Sequence, residues 1–99
     1  MNKLISIYIN NGVSLFEQGE NTVIIPIELS NDIIDILENL NFFILGGDLY
    51  EKNNNNEFEH TYDNWYYEGN IQGDSILKTR KYLDNFRNNQ NLYVSFVFK

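Results

Sequence analysis

The sequence contains no cysteine and no alanine, and only one proline, one histidine and one tryptophan among its 99 residues. Without cysteine the chain can form no disulfide and has no thiolate chemistry, which fits a protein of the cytoplasm. No apolar run approaches the roughly 18 residues of a membrane span, and the apolar start at 4–9 is short for a signal peptide. The length suits one domain. We therefore predict a single unprocessed cytoplasmic domain over residues 1–99.

Charge is distributed unevenly along the chain. Residues 1–77 carry two basic against thirteen acidic side chains, a balance of −11, whereas residues 78–99 carry five against one, a balance of +4, for a net charge of −7. An acidic body repels the phosphate backbone, so we predict no nucleic-acid binding. It attracts a basic protein partner. The alternative is that the acidity only keeps a small protein soluble.

The first third of the chain has mixed signals. Residues 4–9 are apolar and rich in isoleucine, which favours a strand, although a short helix ending near Gly12 is also possible. Residues 22–27 resemble a strand, and Pro26 predicts that this strand lies at an edge or ends there, because proline has no N–H to donate.

Two helices and a final strand give the clearest patterns. Ser30 begins a helix with an apolar stripe at helical spacing, made of Ile33, Ile36, Leu37 and Leu40. Asp74 or Ser75 begins a second long helix, and residues 92–98 alternate as a strand does. The sequence therefore predicts an α+β fold, in which a small, mostly antiparallel sheet has its two main helices packed on one face.

A hairpin occupies the middle of the chain. Residues 42–50 form an apolar run interrupted by Gly46-Gly47, and residues 57–62 alternate between polar and aromatic side chains. The four asparagines at 53–56 form a tolerant loop between the two runs. We predict that the two runs pair as antiparallel strands.

Residues suited to catalysis are scarce. His60 alternates with Phe58 and Tyr62, which indicates a structural histidine on a strand, and no glycine-flanked nucleophile precedes a helix. Side chains that could bind a metal are scattered along the hairpin: Asp48, Glu59, His60 and Asp63. They could hold a hard cation only if the hairpin brought them together, and their spacing matches no known metal-binding loop. We predict no catalytic residue, no metal and no cofactor, and therefore no enzyme.

Recognition is the function that the hairpin residues favour, because exposed tyrosines beside acids are typical of binding surfaces. We assign Gly46, Gly47 and Trp65 to the architecture, with the glycines shaping the backbone and the tryptophan in the core. The predicted binding residues are acids and tyrosines of the hairpin and its flank: Asp48, Tyr50, Glu51, Glu59, Asp63, Tyr66, Tyr67 and Glu68.

These motifs resemble the immunity protein 40 family of bacterial polymorphic toxin systems. The resemblance is carried by Asn11-Gly12, by the pattern Leu15-x-Glu17-x-Gly19, by the helix after Ser30, by residues 44–50 and by residues 62–66, and a closing helix follows.

The resemblance implies a non-enzymatic protein that binds and neutralises a cognate toxin, and an acidic inhibitor suits a basic toxin. It implies no catalytic residue and leaves the chemistry of the toxin open. The alternative is a small acidic ligand- or protein-binding domain unrelated to toxins, one form of which is a homodimer formed through the strand at 92–98.

Overall fold

A computed structural model describes residues 2–99, which form three α-helices and one five-stranded antiparallel sheet. The elements in chain order are α1 (Asn2–Asn11), β1 (Val13–Ser14), β2 (Val23–Pro26), α2 (Ser30–Asn39), β3 (Ile44–Lys52), β4 (Phe58–Tyr66), α3 (Gln72–Asp84) and β5 (Leu92–Phe98). Short 3₁₀ turns at Phe16–Gln18 and Ile27–Leu29 precede β2 and α2 respectively. The predicted α+β class is confirmed.

The strands lie in the order β1-β2-β5-β3-β4, and every neighbouring pair is antiparallel. The three helices pack on one face, which we call the inner face. All three helices share one core with the sheet. The helices contribute Leu4 from α1, Ile33, Ile34 and Leu37 from α2, and Ile76 and Leu83 from α3, and the sheet contributes Ile25, Leu49, Trp65 and Val94. This burial of branched apolar side chains is the main force that holds the helices on the sheet.

The other face, the outer face, is covered only in part. The connection between β1 and β2 brings Leu15 against Ile24 and Tyr50, with Phe58 and Tyr93 packed around them. These residues form a second, smaller core. It fixes the hairpin of β3 and β4 from the side opposite the helices.

The structure corrects the leading interpretation of residues 4–9, which form helix α1 and not a strand. Leu4, Ile7 and Tyr8 all reach the main core, and their spacing of three and four residues places them on one side of a helix. Local β-propensity is therefore overridden by the burial that a helical face provides. Gly12 follows the helix, as predicted.

The structure also bears on three other predicted segments. The strand β2 ends at Pro26, which confirms one of the two predicted alternatives, and it lies between β1 and β5 instead of at an edge. In α2 the buried stripe includes Ile34, whereas Leu40 lies beyond the helix end and is 37% exposed. The helix α3 begins at Gln72, two residues before the earlier of the two predicted starts.

The strand β5 lies inside the sheet, paired with β3 from Leu92 to Phe98 and with β2 at Tyr93 and Val94. Leu92 and Val94 face the core as the alternation predicts, and both are buried. An interior strand is a poor place to add a strand from a second copy. The position of β5 therefore does not favour a homodimer formed through it.

Trp65 joins the hairpin to α3. Its ring is 5% exposed and stacks on Tyr82, with the centroids 5.3 Å apart. Its Nε1–H donates to the Thr79 hydroxyl at 2.9 Å inside the core. Trp65 is therefore a core residue, as the sequence indicates, and Thr79 is its buried polar partner.

We expect Thr79→Val to lower the free energy of unfolding by about 2 kcal/mol, because the isosteric side chain leaves the buried indole N–H without an acceptor. Urea denaturation of the two proteins measures the difference. Trp65→Phe combined with Thr79→Val should cost less than the sum of the single changes, since neither partner then remains unpaired. Strict additivity would contradict the buried hydrogen bond.

Candidate functional site

The hairpin concentrates acidic side chains that have no basic partner. Residues 44–70 carry six carboxylates and one lysine. Within residues 2–99, the only ion pair that involves one of these carboxylates joins Asp48 to His60. Elsewhere, Arg80 of α3 pairs with Asp35 and Glu38 of α2. The helix layer therefore neutralises part of its own charge, while the negative charge of the hairpin remains largely free.

Two glutamates oppose each other across the hairpin. Glu51 of β3 and Glu59 of β4 are register partners, and both are exposed. Their hydrogen bonds come from neutral amides: Asn89 donates to Glu51 at 3.3 Å and Asn53 donates to Glu59 at 3.1 Å. Like charges placed directly opposite on a sheet are destabilising. Stability alone does not explain this pair.

His60 and Asp48 lie side by side on the outer face. Nε2 of the imidazole is 3.1 Å from Oδ1 of Asp48. The ring also packs edge-on against the buried Tyr50, with the centroids 4.9 Å apart. His60 is therefore held by its neighbours, which agrees with its structural assignment from the sequence.

Tyr62 is the most exposed large side chain on the hairpin, with 85% of its surface open to solvent. The register of the hairpin shifts between Asp48 and Tyr50, which is a β-bulge in the pairing of β3 with β4. Tyr62 lies in this bulge with φ at 69°, a left-handed conformation that is strained for a bulky residue. Strained residues cluster at functional sites, so we include Tyr62 in the candidate site.

The outer edge of β4 is an edge of the sheet, and side chains cover several of its backbone groups. The Gln18 amide donates to the carbonyl of Phe58 at 3.0 Å. In the bulge, the N–H of Tyr62 donates to Nδ1 of His60 at 2.7 Å, and the N–H of Asp63 donates to Oγ1 of Thr61 at 3.2 Å. Such coverage protects a sheet edge from pairing with another strand.

The eight predicted binding residues fall into two groups. Glu51, Glu59, Asp63, Tyr66 and Glu68 are exposed, and Asp48 is half-exposed beside His60. Tyr50 is only 4% exposed, and the Tyr67 hydroxyl accepts the N–H of Ile71 at 3.0 Å, so these two rings support the fold. We add Tyr62 to the first group and call the resulting set the hairpin surface: Asp48, Glu51, Glu59, Tyr62, Asp63, Tyr66 and Glu68.

The acids of the hairpin influence the tyrosines around them. Burial raises the pKa of Tyr50 to about 12, and the nearby carboxylates of Glu20 and Asp48 act in the same direction. Burial also raises the pKa of Tyr82 on the inner side, with further contributions from Asp63 and Asp48. Both effects have the sign that a local excess of negative charge produces.

Tyr66 is partly engaged within the chain. It is 62% exposed, and Nζ of Lys78 from α3 lies 5.1 Å from the centre of its ring. A cation over a tyrosine ring is a weak attraction at an exposed site. The contact shows that this part of the hairpin surface already accommodates a lysine side chain.

The sequence model of one protein family, Immunity protein 40, matches residues 14–98. The chain belongs to the immunity protein 40 family. Comparisons with curated proteins and with solved structures give no match. The matched range includes strands β2 to β5, Ser14 of β1 and helices α2 and α3, whereas helix α1 and Val13 precede it.

Membership in the immunity protein 40 family makes the chain an immunity protein, the kind of protein that counteracts a toxin. This confirms the resemblance noted in the sequence. The hairpin surface lies entirely inside the matched range. Tyr62 is the residue of that surface that sequence reasoning missed, because it alternates with Phe58 and His60 and therefore also suits a core position. The residues next to Tyr62 in the sequence do not indicate the β-bulge between β3 and β4.

Two further properties of this immunity protein bear on its mode of action. None of the helices in the described part of the chain is long and apolar enough to span a bilayer. Among residues 2–99, no three acidic or histidine side chains come close enough together to hold a metal ion. The hairpin brings Asp48 and His60 together but does not gather a larger donor set.

Proposed function

We propose that this immunity protein acts in the bacterial cytoplasm by binding a cognate toxin of a polymorphic toxin system and covering its active or binding surface. The contacting residues are those of the hairpin surface, which project from both sides of the β3–β4 hairpin. The mode of action is occlusion, with no chemistry performed by the immunity protein. The toxin presents a basic surface, to which the acidic hairpin is electrostatically complementary.

The free carboxylates of the hairpin are the observation that carries this proposal. Six acidic side chains and one lysine occupy residues 44–70, and Glu51 directly opposes Glu59. Repulsion between the two glutamates is relieved when a partner supplies lysine or arginine side chains. A field of one sign also increases the rate of encounter with an oppositely charged partner.

The protected edge of β4 supports binding through side chains. Strand addition requires unpaired N–H and C=O groups along an edge. Here side chains of Gln18, His60 and Thr61 cover backbone groups at Phe58, Tyr62 and Asp63. The toxin therefore contacts projecting acids and tyrosines, and Tyr62 is the aromatic side chain best placed to enter a pocket on the partner.

Removing three hairpin charges tests the proposal. We expect Glu51→Gln, Glu59→Gln and Asp63→Asn together to weaken toxin binding by about 1,000-fold or more, since close interfacial charge pairs contribute about 1.5 kcal/mol or more each and about 1.4 kcal/mol is a factor of ten. The probe is an inactivated form of the cognate toxin domain, to be sought in the gene directly upstream of this one, and binding is measured by surface plasmon resonance. Growth of cells that express active toxin with each immunity variant gives the matching test of protection.

A matched control removes the same charge elsewhere. Glu28→Gln, Asp32→Asn and Asp74→Asn alter three exposed acids outside the hairpin. Both triple variants change the net charge equally, so both slow association to a similar degree through the long-range field. Only the hairpin variant should dissociate faster. Equal dissociation rates and unchanged protection would refute the hairpin as the contact face.

A further inference from the structure

His60 holds one specific arrangement of hydrogen bonds. Its Nδ1 lies 2.7 Å from the backbone nitrogen of Tyr62, and its Nε2 lies 3.1 Å from Oδ1 of Asp48. A backbone N–H can only donate, so Nδ1 must be the acceptor and carry no proton. The neutral ring then carries its proton on Nε2 and donates it to Asp48. This tautomer satisfies both contacts at once.

The ring also supports the most strained residue of the hairpin. Tyr62 has φ at 69°, a conformation that costs a non-glycine residue about 1–3 kcal/mol and persists only where the surroundings enforce it. The tyrosine ring lies against the imidazole, with the centroids 5.1 Å apart. Thr61 completes the bulge by donating to the carbonyl of Leu49 at 3.1 Å. His60 therefore fixes both the backbone and the ring of Tyr62.

We propose that His60 is the positioning residue for Tyr62 in toxin binding, and that protonation of His60 weakens the complex. This inference rests on the proposed function and adds a regulation of the same surface. His60 itself contacts Asp48 and Tyr62, while Tyr62 projects to the partner.

Protonation acts on this surface in two ways. A second proton must go to Nδ1, which then faces the N–H of Tyr62 as donor against donor, so the bulge loses the hydrogen bond that shapes it. The resulting imidazolium also neutralises the charge of Asp48 locally, which reduces attraction to a basic partner. Both changes weaken binding, so the affinity falls as the pH falls.

The titratable groups around His60 come from β3, from β4 and from the segment before β2. Asp48 and Tyr50 come from β3 and Tyr62 from β4, while Glu20, from the segment before β2, accepts the Tyr50 hydroxyl at 3.3 Å. Asp48 therefore places a carboxylate at Nε2, and the Tyr62 N–H places a donor at Nδ1. A basic toxin adds positive charge to these groups.

Two substitutions separate the roles of the ring nitrogens. Asparagine places a side-chain oxygen near the position of Nδ1, so His60→Asn keeps an acceptor for the Tyr62 N–H but cannot titrate. Glutamine places a nitrogen near the position of Nε2, so His60→Gln keeps a donor for Asp48 but removes the acceptor for Tyr62. Thermal unfolding of both variants, compared with the parent, verifies that they fold.

Binding is measured by calorimetry at about pH 8 and about pH 5.5, which bracket the ordinary range of histidine titration. The probe is again the inactivated cognate toxin domain. We expect the parent to bind about 10-fold more weakly at the lower pH, because one hydrogen bond and one local charge are lost. His60→Asn should bind nearly equally at both values, and His60→Gln should bind weakly at both. A His60→Asn variant with the same pH dependence as the parent would overturn the proposal.

An NMR measurement on the free protein distinguishes failure of this inference from failure of the proposed function. Ring-nitrogen shifts of His60 should show the proton on Nε2 at about pH 8, and the Tyr62 amide should shift in step with the ring as the pH is lowered. A proton on Nδ1, or a Tyr62 amide that ignores the titration, would refute the positioning role even if the toxin binds the hairpin. The expected NMR result together with toxin contacts elsewhere would instead refute the proposed function.

Discussion

Tyr62→Gly is expected to weaken toxin binding by about 100-fold while leaving the free energy of unfolding within about 1 kcal/mol of the parent. The ring is 85% exposed, so its removal takes little from the core. Glycine accepts the φ of 69° without strain, and this gain offsets both the greater entropy of the unfolded chain and the lost contact with His60. Calorimetric titration and urea denaturation of the same preparations measure the two quantities.

The control for this substitution is Asn56→Gly, because Asn56 in the hairpin loop has a similar φ of 60°. Asn56 is exposed and lies outside the hairpin surface. The same backbone change should therefore occur without loss of binding, and the relief of strain should be smaller because asparagine tolerates this conformation better than tyrosine. A Tyr62→Gly protein that binds as tightly as the parent would show that the bulge serves the fold only.

Gly47→Ala is expected to lower the free energy of unfolding by about 3 kcal/mol, the upper part of the usual range for overpacking a core. A methyl group at this position would meet the Ser95 carbonyl oxygen of β5 and would lie 2.6 Å from Cη2 of Trp65. The carbonyl belongs to the sheet backbone, and the tryptophan is fixed by Thr79 and Tyr82. Neither neighbour can move without disrupting β3.

Gly73→Ala provides the matched control for that change. Gly73 lies in α3, and a methyl group there would meet no atom within 4 Å. Alanine should therefore raise the free energy of unfolding by about 0.5 kcal/mol, since glycine is a poor helix former. Urea denaturation of both variants should give opposite signs. A loss below about 1 kcal/mol for Gly47→Ala would contradict the close packing of β3 on Trp65.

Local sequence patterns predicted those elements whose local preferences agree with their tertiary surroundings. The strand β5 alternates in sequence, and its apolar face packs on the main core through Leu92, Val94, Phe96 and Phe98. The hairpin follows from two strand-like runs joined by four asparagines. The assignment of Trp65 to the core also follows from the sequence. For residues 4–9 the leading strand interpretation was wrong, because isoleucine favours strands locally, and the alternative of a short helix is confirmed. The spacing of Leu4, Ile7 and Tyr8 is the signal that indicates the helix.

Of the candidate site, the sequence predicts the residue types but not their arrangement. The sequence identifies an excess of acids and tyrosines, but not which rings project outward. Tyr50 and Tyr67 support the fold, whereas Tyr62 projects, because a bulge changes the register between Asp48 and Tyr50. The bulge depends on hydrogen bonds that the backbone N–H groups of Tyr62 and Asp63 donate to side chains of the same strand. Such contacts follow from the folded geometry and leave no pattern along the chain.

NMR mapping of the toxin contact tests the central claim most directly. Isotope-labelled immunity protein is titrated with the unlabelled, inactivated cognate toxin domain. The proposed function predicts the largest shifts at amides 58–66 of β4 and at their partners in β3, with small shifts in the helices. Shifts concentrated in the open groove between α1 and α2, around Ile7 and Ile36, with an unchanged hairpin would contradict it.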